Sequence, residues 1–165
     1  MSGMEIERKF LVHKQMDWKK LATESSHIRQ GYMAASNTVR VRLRDERGYL
    51  TIKGHSHDGG LSRYEFEKEI THEEALQLLK LCQEGIVDKH RYLVPYAGHV
   101  FEVDEFHGDN EGLVMAEVEL SDTKETFEKP EFIADEVTGD PRFYNTYLRM
   151  KPFKLWKEAL RPEYR

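Results

Sequence analysis

Two glutamates and a lysine alternate near the start of the chain, in Glu5-Ile6-Glu7-Arg8-Lys9. In an extended segment successive side chains point to opposite faces, so Glu5, Glu7 and Lys9 share one side while Met4, Ile6 and Phe10 share the other. Clustered carboxylates are the hard oxygen ligands that magnesium and manganese prefer. Lysine and arginine contact phosphate oxygens, arginine with a two-pronged fork. A surface that carries both signs therefore suits a polyphosphate together with divalent metal ions, and hence phosphoryl chemistry.

The pattern recurs downstream. Arg40, Arg42 and Arg44 oppose Val39, Val41 and Leu43, and Thr51 and Lys53 oppose Leu50 and Ile52. Arg63, Glu65, Glu67 and Glu69 oppose Tyr64, Phe66 and Ile70, and Glu117 and Glu119 oppose Val114, Ala116, Val118 and Leu120. Taking the charged side of each segment gives an acidic set of Glu5, Glu7, Glu65, Glu67, Glu102, Asp104, Glu117 and Glu119. The basic set is Lys9, Arg40, Arg42, Arg44, Lys53, Arg63, Lys89 and Arg91. A single strand of this kind is usually the wet side of a sheet. Repetition over six or more strands favours convergence on a shared cavity, because isolated buried charges are costly and must be paired, hydrated or used on a ligand. An open sheet with a solvated charged face would show the same alternation.

The elements that must carry these residues are mostly strands. They are expected at residues 4–12, 26–33, 38–44, 49–53, 62–70, 87–94, 99–106 and 113–120, with a hairpin turn at Asp45-Glu46-Arg47-Gly48. A helix is expected at about 15–24. Thr71 with Glu74 reads as a capping box that opens a second helix, with Gly85 as its C-terminal cap. From about Lys124 the pattern turns helical, broken at Val137–Pro141, and Phe143, Tyr147, Phe153, Leu155 and Trp156 read as packing residues, an exposed part of which would serve a homodimer contact. The fold class is α+β, mainly β, in a single domain over residues 1–165.

With 165 residues, the chain is long enough for a real core. Its net charge of −5 argues against nucleic-acid binding by general electrostatic attraction. The lone cysteine, Cys82, excludes an internal disulfide and fits a reducing cytoplasm. Neither a signal-peptide pattern nor an apolar run long enough to span a bilayer is present, so no membrane partner is expected. His55 and His57 lie in a glycine-rich loop and read as loop residues.

The ordered set of short motifs resembles the CYTH superfamily, the triphosphate tunnel metalloenzymes. The motifs are Glu5-Ile6-Glu7-Arg8-Lys9, Gln30-Gly31-Tyr32, Val39-Arg40-Val41-Arg42, Thr51-Ile52-Lys53 and Tyr64-Glu65-Phe66-Glu67. Lys89-His90-Arg91, Glu102-Val103-Asp104, Ala116-Glu117-Val118-Glu119, Val137-Thr138-Gly139-Asp140 and Tyr144-Asn145 follow in order. The resemblance implies an eight-stranded antiparallel β-barrel, a tunnel with helices packed outside. It also implies Mg2+ or Mn2+ held by Glu5, Glu7, Asp104, Glu117 and Glu119. Lys9, Arg40, Arg42, Lys53, Arg63, Lys89 and Arg91 would hold the phosphate chain, and Glu65, Glu67 and Lys89 would serve the chemistry. Among the family's activities, hydrolysis of inorganic triphosphate fits the compact chain best. Adenylyl cyclase, nucleoside or thiamine triphosphatase and non-catalytic polyphosphate binding remain as alternatives.

Overall fold

The computed structural model describes residues 6–33, 37–54 and 64–165. Glu5, Arg63, His55 and His57 lie outside these residues. The described chain contains nine strands: β1 (Ile6–Val12), β2 (Glu24–Met33), β3 (Thr38–Arg44), β4 (Arg47–Lys53), β5 (Glu65–Ile70), β6 (Gln83–Tyr96), β7 (His99–Phe106), β8 (Val114–Leu120) and β9 (Ile133–Glu136). Two short helices, α1 (His72–Leu79) and α2 (Asn145–Met150), join them. All described strand pairings are antiparallel, which bears out a mainly β fold. No helix among the described residues is long and apolar enough to cross a membrane.

The chain forms two compact units, one of residues His27–Asp88, the other of the segment ending at Ser26 with Lys89–Arg165. In the smaller unit the strand order is β5-β4-β3-β2. Val41 and Leu43 project to one side of β3 and are buried against Ala75 and Leu79 of α1. That leaves Arg40 and Arg42 on the opposite side, as a period of two requires. Both halves of the capping box form: Thr71 Oγ1 accepts from Glu74 N, and Glu74 Oε1 accepts from Thr71 N. The helix nonetheless ends at Leu79 instead of reaching Gly85, which lies inside β6 with a positive φ of 88°. The β3–β4 turn is also tighter than expected, because Arg44 already pairs with Arg47 and Gly48 is a strand residue. A Cβ on Gly48 would come 2.7 Å from the Ala75 Cβ, so glycine is what lets α1 settle on β4.

In the larger unit the strand order is β6-β7-β8-β1-β9. Ala97 and Gly98, both with positive φ, make the two-residue turn between β6 and β7. Phe10, Phe101, Val103, Ala116 and Val118 build the core on one face. The helix expected at 15–24 is only a 3-10 turn at Trp18–Leu21, whose value to the fold is Trp18 buried in that core. The helical reading beyond Lys124 is also corrected: β9 pairs with β1, and only α2 and isolated 3-10 turns follow. Phe143, Phe153 and Trp156 pack edge to face there, as their aromatic run implied.

Two carboxylates bind distant segments to this unit. Arg8 donates to both oxygens of Glu136 at 2.6 Å, while Ser121 and His99 hold Glu125. Hydrogen bonds from Arg8 lower the Glu136 carboxyl to about 2, and those from Ser121 and then His99 do the same for Glu125. Because both folded values lie below the unfolded ones, their stabilisation is full above the unfolded carboxyl range near ~4 and is lost as pH falls through it toward about 2. Thermal melts should therefore be level down to about pH 5 and decline steeply below about pH 4, the decline being smaller in Glu136→Gln. A wild-type melting temperature unchanged down to about pH 2 would contradict these assignments.

Candidate functional site

The face of the larger unit opposite its apolar core is built by strand register. Lys9 of β1 lies opposite Glu117 of β8, and Glu117 lies opposite Glu102 of β7, which makes one row across three strands. One step along this face, Glu7 stands opposite Glu119. On β6 and β7, Arg91 stands opposite Asp104. Eight of the residues singled out in the sequence are thus gathered by one sheet: Glu7, Lys9, Lys89, Arg91, Glu102, Asp104, Glu117 and Glu119.

The centre of this face is nearly dry. Lys89 is 0% exposed and Asp104 only 3%, so their charges require partners. Lys89 Nζ donates to Asp104 Oδ2 at 2.9 Å and to Asn145 Oδ1 at 3.3 Å. Arg91 donates to both Asp104 oxygens at 2.8 and 2.9 Å, and its Nη1 lies 2.8 Å from Glu102 Oε2. Burial alone would raise the Asp104 carboxyl, but Lys89 and Arg91 hold it down at about 2. Burial pushes Lys89 below the ordinary lysine range, with Asp104 opposing and Arg91 reinforcing the shift. Burial also raises Glu102, which Arg91 counters and Asp104 and Glu117 reinforce. Lys9 Nζ, in a residue 5% exposed, lies 3.3 Å from Glu117 Oε1 and donates to the Phe143 carbonyl at 3.2 Å.

The smaller unit has its own polar face. Arg42 Nε donates to Gln30 Oε1 at 2.8 Å, and Gln30 is buried. Arg40 Nη2 donates to Thr51 Oγ1 at 3.3 Å, and that hydroxyl donates to Glu67 Oε2 at 3.1 Å. Arg40, Arg42, Arg44, Tyr49 and Glu67 line a cavity of about 120 Å³. Arg40 Nε is buried with no hydrogen-bond partner among the described residues. Lys53 pairs in register with Glu65, and both Glu65 and Glu67 are exposed.

Among the described residues no three carboxylate, imidazole or thiol side chains are gathered closely enough to hold an ion. Asp104 is the shared counter-ion of Lys89 and Arg91. The remaining carboxylates do suit a hard cation. Like charges directly opposite one another destabilise a sheet. Here Glu7 faces Glu119 and Glu102 faces Glu117 on adjoining strand pairs.

Several site residues carried no assigned role in the sequence. Gln30, Thr51 and Tyr49 are neutral members of the charged face, and their place in the alternation beside Arg40 and Arg42 was the available signal. Asn145 reaches Lys89 from 56 positions away. Strand periodicity holds no trace of that contact, since Asn145 sits at the start of a helix.

Comparison with known proteins identifies the chain's family. The sequence model of the CYTH domain matches residues 3–144. A protein named inorganic triphosphatase from Acetivibrio thermocellus is 46% identical over 159 residues, covering 94% of this chain and 99% of its own length. Another of the same name from Nitrosomonas europaea is 34% identical over 152 residues, covering 88% of this chain and 97% of its own. The crystal structure of the inorganic triphosphatase NE1496 superposes with a TM-score of 0.69 at 29% identity, over 89% of this chain and 95% of that one. The chain belongs to the CYTH domain family, whose fold is a tunnel barrel; in place of the eight closed strands expected, the described residues form a sheet of nine, from β5 to β9, that is not closed.

Proposed function

We propose that this protein hydrolyses inorganic triphosphate to pyrophosphate and phosphate with the help of a divalent metal ion. The observation that carries the reading is the convergence of Lys9, Lys89 and Arg91 with Glu7, Glu102, Glu117 and Glu119 on one face of the larger unit. The names of two relatives that span nearly their whole length support the same substrate.

Lys9, Lys89 and Arg91 bind phosphate oxygens, and Asp104 fixes the direction of the last two. Arg40, Arg42 and Lys53 of the smaller unit are assigned the same task, with Gln30 and Thr51 orienting the guanidinium groups. Glu5, Glu7, Glu117 and Glu119 would hold the metal, and a donor set of oxygen alone favours magnesium or manganese. When bound, the metal supplies charge neutralisation on phosphate and a water of lowered pKa. By the family resemblance Glu67, which Thr51 orients, and Glu65 would accept a proton from water. The water oxygen forms a bond to the terminal phosphorus as the bridging P–O bond breaks, so one phosphate and one pyrophosphate leave. Fixed cations that stabilise the charge developing on the bridging oxygen supply the rate enhancement, and no protein nucleophile is needed. The lone Cys82 fits a reducing cytoplasm as the place of action.

Phosphate release from tripolyphosphate, ATP and thiamine triphosphate, run in parallel with a cyclic-nucleotide readout, tests this reading. Fastest turnover is expected on tripolyphosphate and only with a divalent cation present. A preference for ATP with cyclic product, or tight triphosphate binding without phosphate release, would overturn it. Arg42→Ala should raise KM by roughly 10- to 100-fold with a smaller loss in kcat, the scale of one charged hydrogen bond to substrate. A titration of initial rate against tripolyphosphate checks this.

A further inference from the structure

Three contacts on the charged face of the larger unit come from one short stretch, Phe143-Tyr144-Asn145. The Phe143 carbonyl accepts from Lys9 Nζ at 3.2 Å, and the Tyr144 ring centre lies 4.9 Å from the same ammonium. Asn145 Oδ1 accepts from Lys89 Nζ at 3.3 Å. The stretch is anchored on both sides. Upstream, Val137 N donates to the Lys9 carbonyl at 2.8 Å, and Lys9 N donates to Thr138 Oγ1 at 2.9 Å. Phe143 itself is fully buried, with Trp156 edge-on at 5.5 Å between ring centres. These tethers fix where the three groups meet the lysines.

An ammonium has three N–H donors. Lys89 gives one to Asp104 and one to Asn145, and Lys9 gives one to the Phe143 carbonyl and lies against Glu117. A carbonyl, an amide oxygen and an aromatic face attract an ammonium without cancelling its charge, whereas a further carboxylate would neutralise it. We infer that the Phe143–Asn145 strap positions Lys9 and Lys89 toward the phosphate chain, and that Asn145 is a positioning residue that orients Lys89 without placing a second carboxylate beside it. This rests on triphosphate being the substrate.

Calorimetric binding of tripolyphosphate, with and without magnesium, should be measured for wild type, Asn145→Ala and Asn145→Asp alongside kcat and KM. Asn145→Asp, which adds a carboxylate beside Lys89, should raise the dissociation constant at least about tenfold, with KM rising more than kcat falls. Asn145→Ala, losing one neutral hydrogen bond, should raise it by roughly three- to tenfold. A role in packing alone would lower the melting temperature and leave binding by the folded fraction unchanged. If the wild type binds and hydrolyses triphosphate while both variants bind it equally well, the inference is overturned alone. If the wild type does neither, the substrate reading falls and takes the inference with it.

Discussion

Glu117→Gln is expected to lower kcat by about a hundredfold or more, since even outer-shell partners of a metal commonly cost 10- to 100-fold when removed. Glu117 is the central residue of the charged row, lying between Lys9 on β1 and Glu102 on β7. The amide keeps the size of the side chain and an oxygen that can accept from Lys9, so the strand pairing should survive. What disappears is one negative charge from the set assigned to the metal. The activity that remains should need a higher magnesium or manganese concentration, and the melting temperature of the metal-free protein should change little. Initial rates against metal concentration, with a melt of each variant, provide the check. Turnover and metal requirement equal to wild type would remove Glu117 from the ligand set.

Asp104→Asn has the larger expected effect on stability. Asp104 is the shared anion of two cations, and both lie in a region that excludes water. Taking away its charge leaves Lys89 without a counter-ion beside Arg91, which keeps only Glu102. Breaking a buried pair in this way costs about 3–5 kcal/mol. For a chain of this size each kcal/mol corresponds to roughly 2–4 °C, so the melting temperature of the metal-free variant should fall by about 6–20 °C. Activity should fall with it, because the direction of both basic groups is set by this one carboxylate. Were Asp104 chiefly a metal ligand, the metal-free melt would hardly move and the loss would appear only in metal affinity. Differential scanning calorimetry on metal-free protein separates the two.

Much of the site was legible because a strand has a period of two. Once Val41 and Leu43 are committed to α1, Arg40 and Arg42 must lie on the other side, and Phe10 and Ala116 place Lys9 and Glu117 in the same way. Strand ends were less legible. Gly48 and Gly85 were read as turn and cap, yet Gly48 is needed beneath α1 and Gly85 lies within β6. Between Lys124 and the break at residues 137–141 the expected helix is absent, and beyond it α2 and 3-10 turns form. Backbone pairing of β9 with β1 and the tethers at Thr138 hold that stretch instead. Side-chain partners were not legible, although the hairpin at residues 45–48 announces the pairing of β3 with β4. Alternation shows that Asp104 is on the charged side, but only the β6–β7 register reveals that it pairs with Arg91 and Lys89.

The placement of the substrate is tested most directly by a crystal structure of Glu117→Gln with tripolyphosphate, a variant expected to bind without efficient turnover. The phosphate chain should lie within hydrogen-bond distance of Lys9 Nζ, Lys89 Nζ and the Arg91 guanidinium, with Asp104 still bridging the last two. A chain of phosphates bound elsewhere, with these three cations touching only their protein partners, would contradict the site.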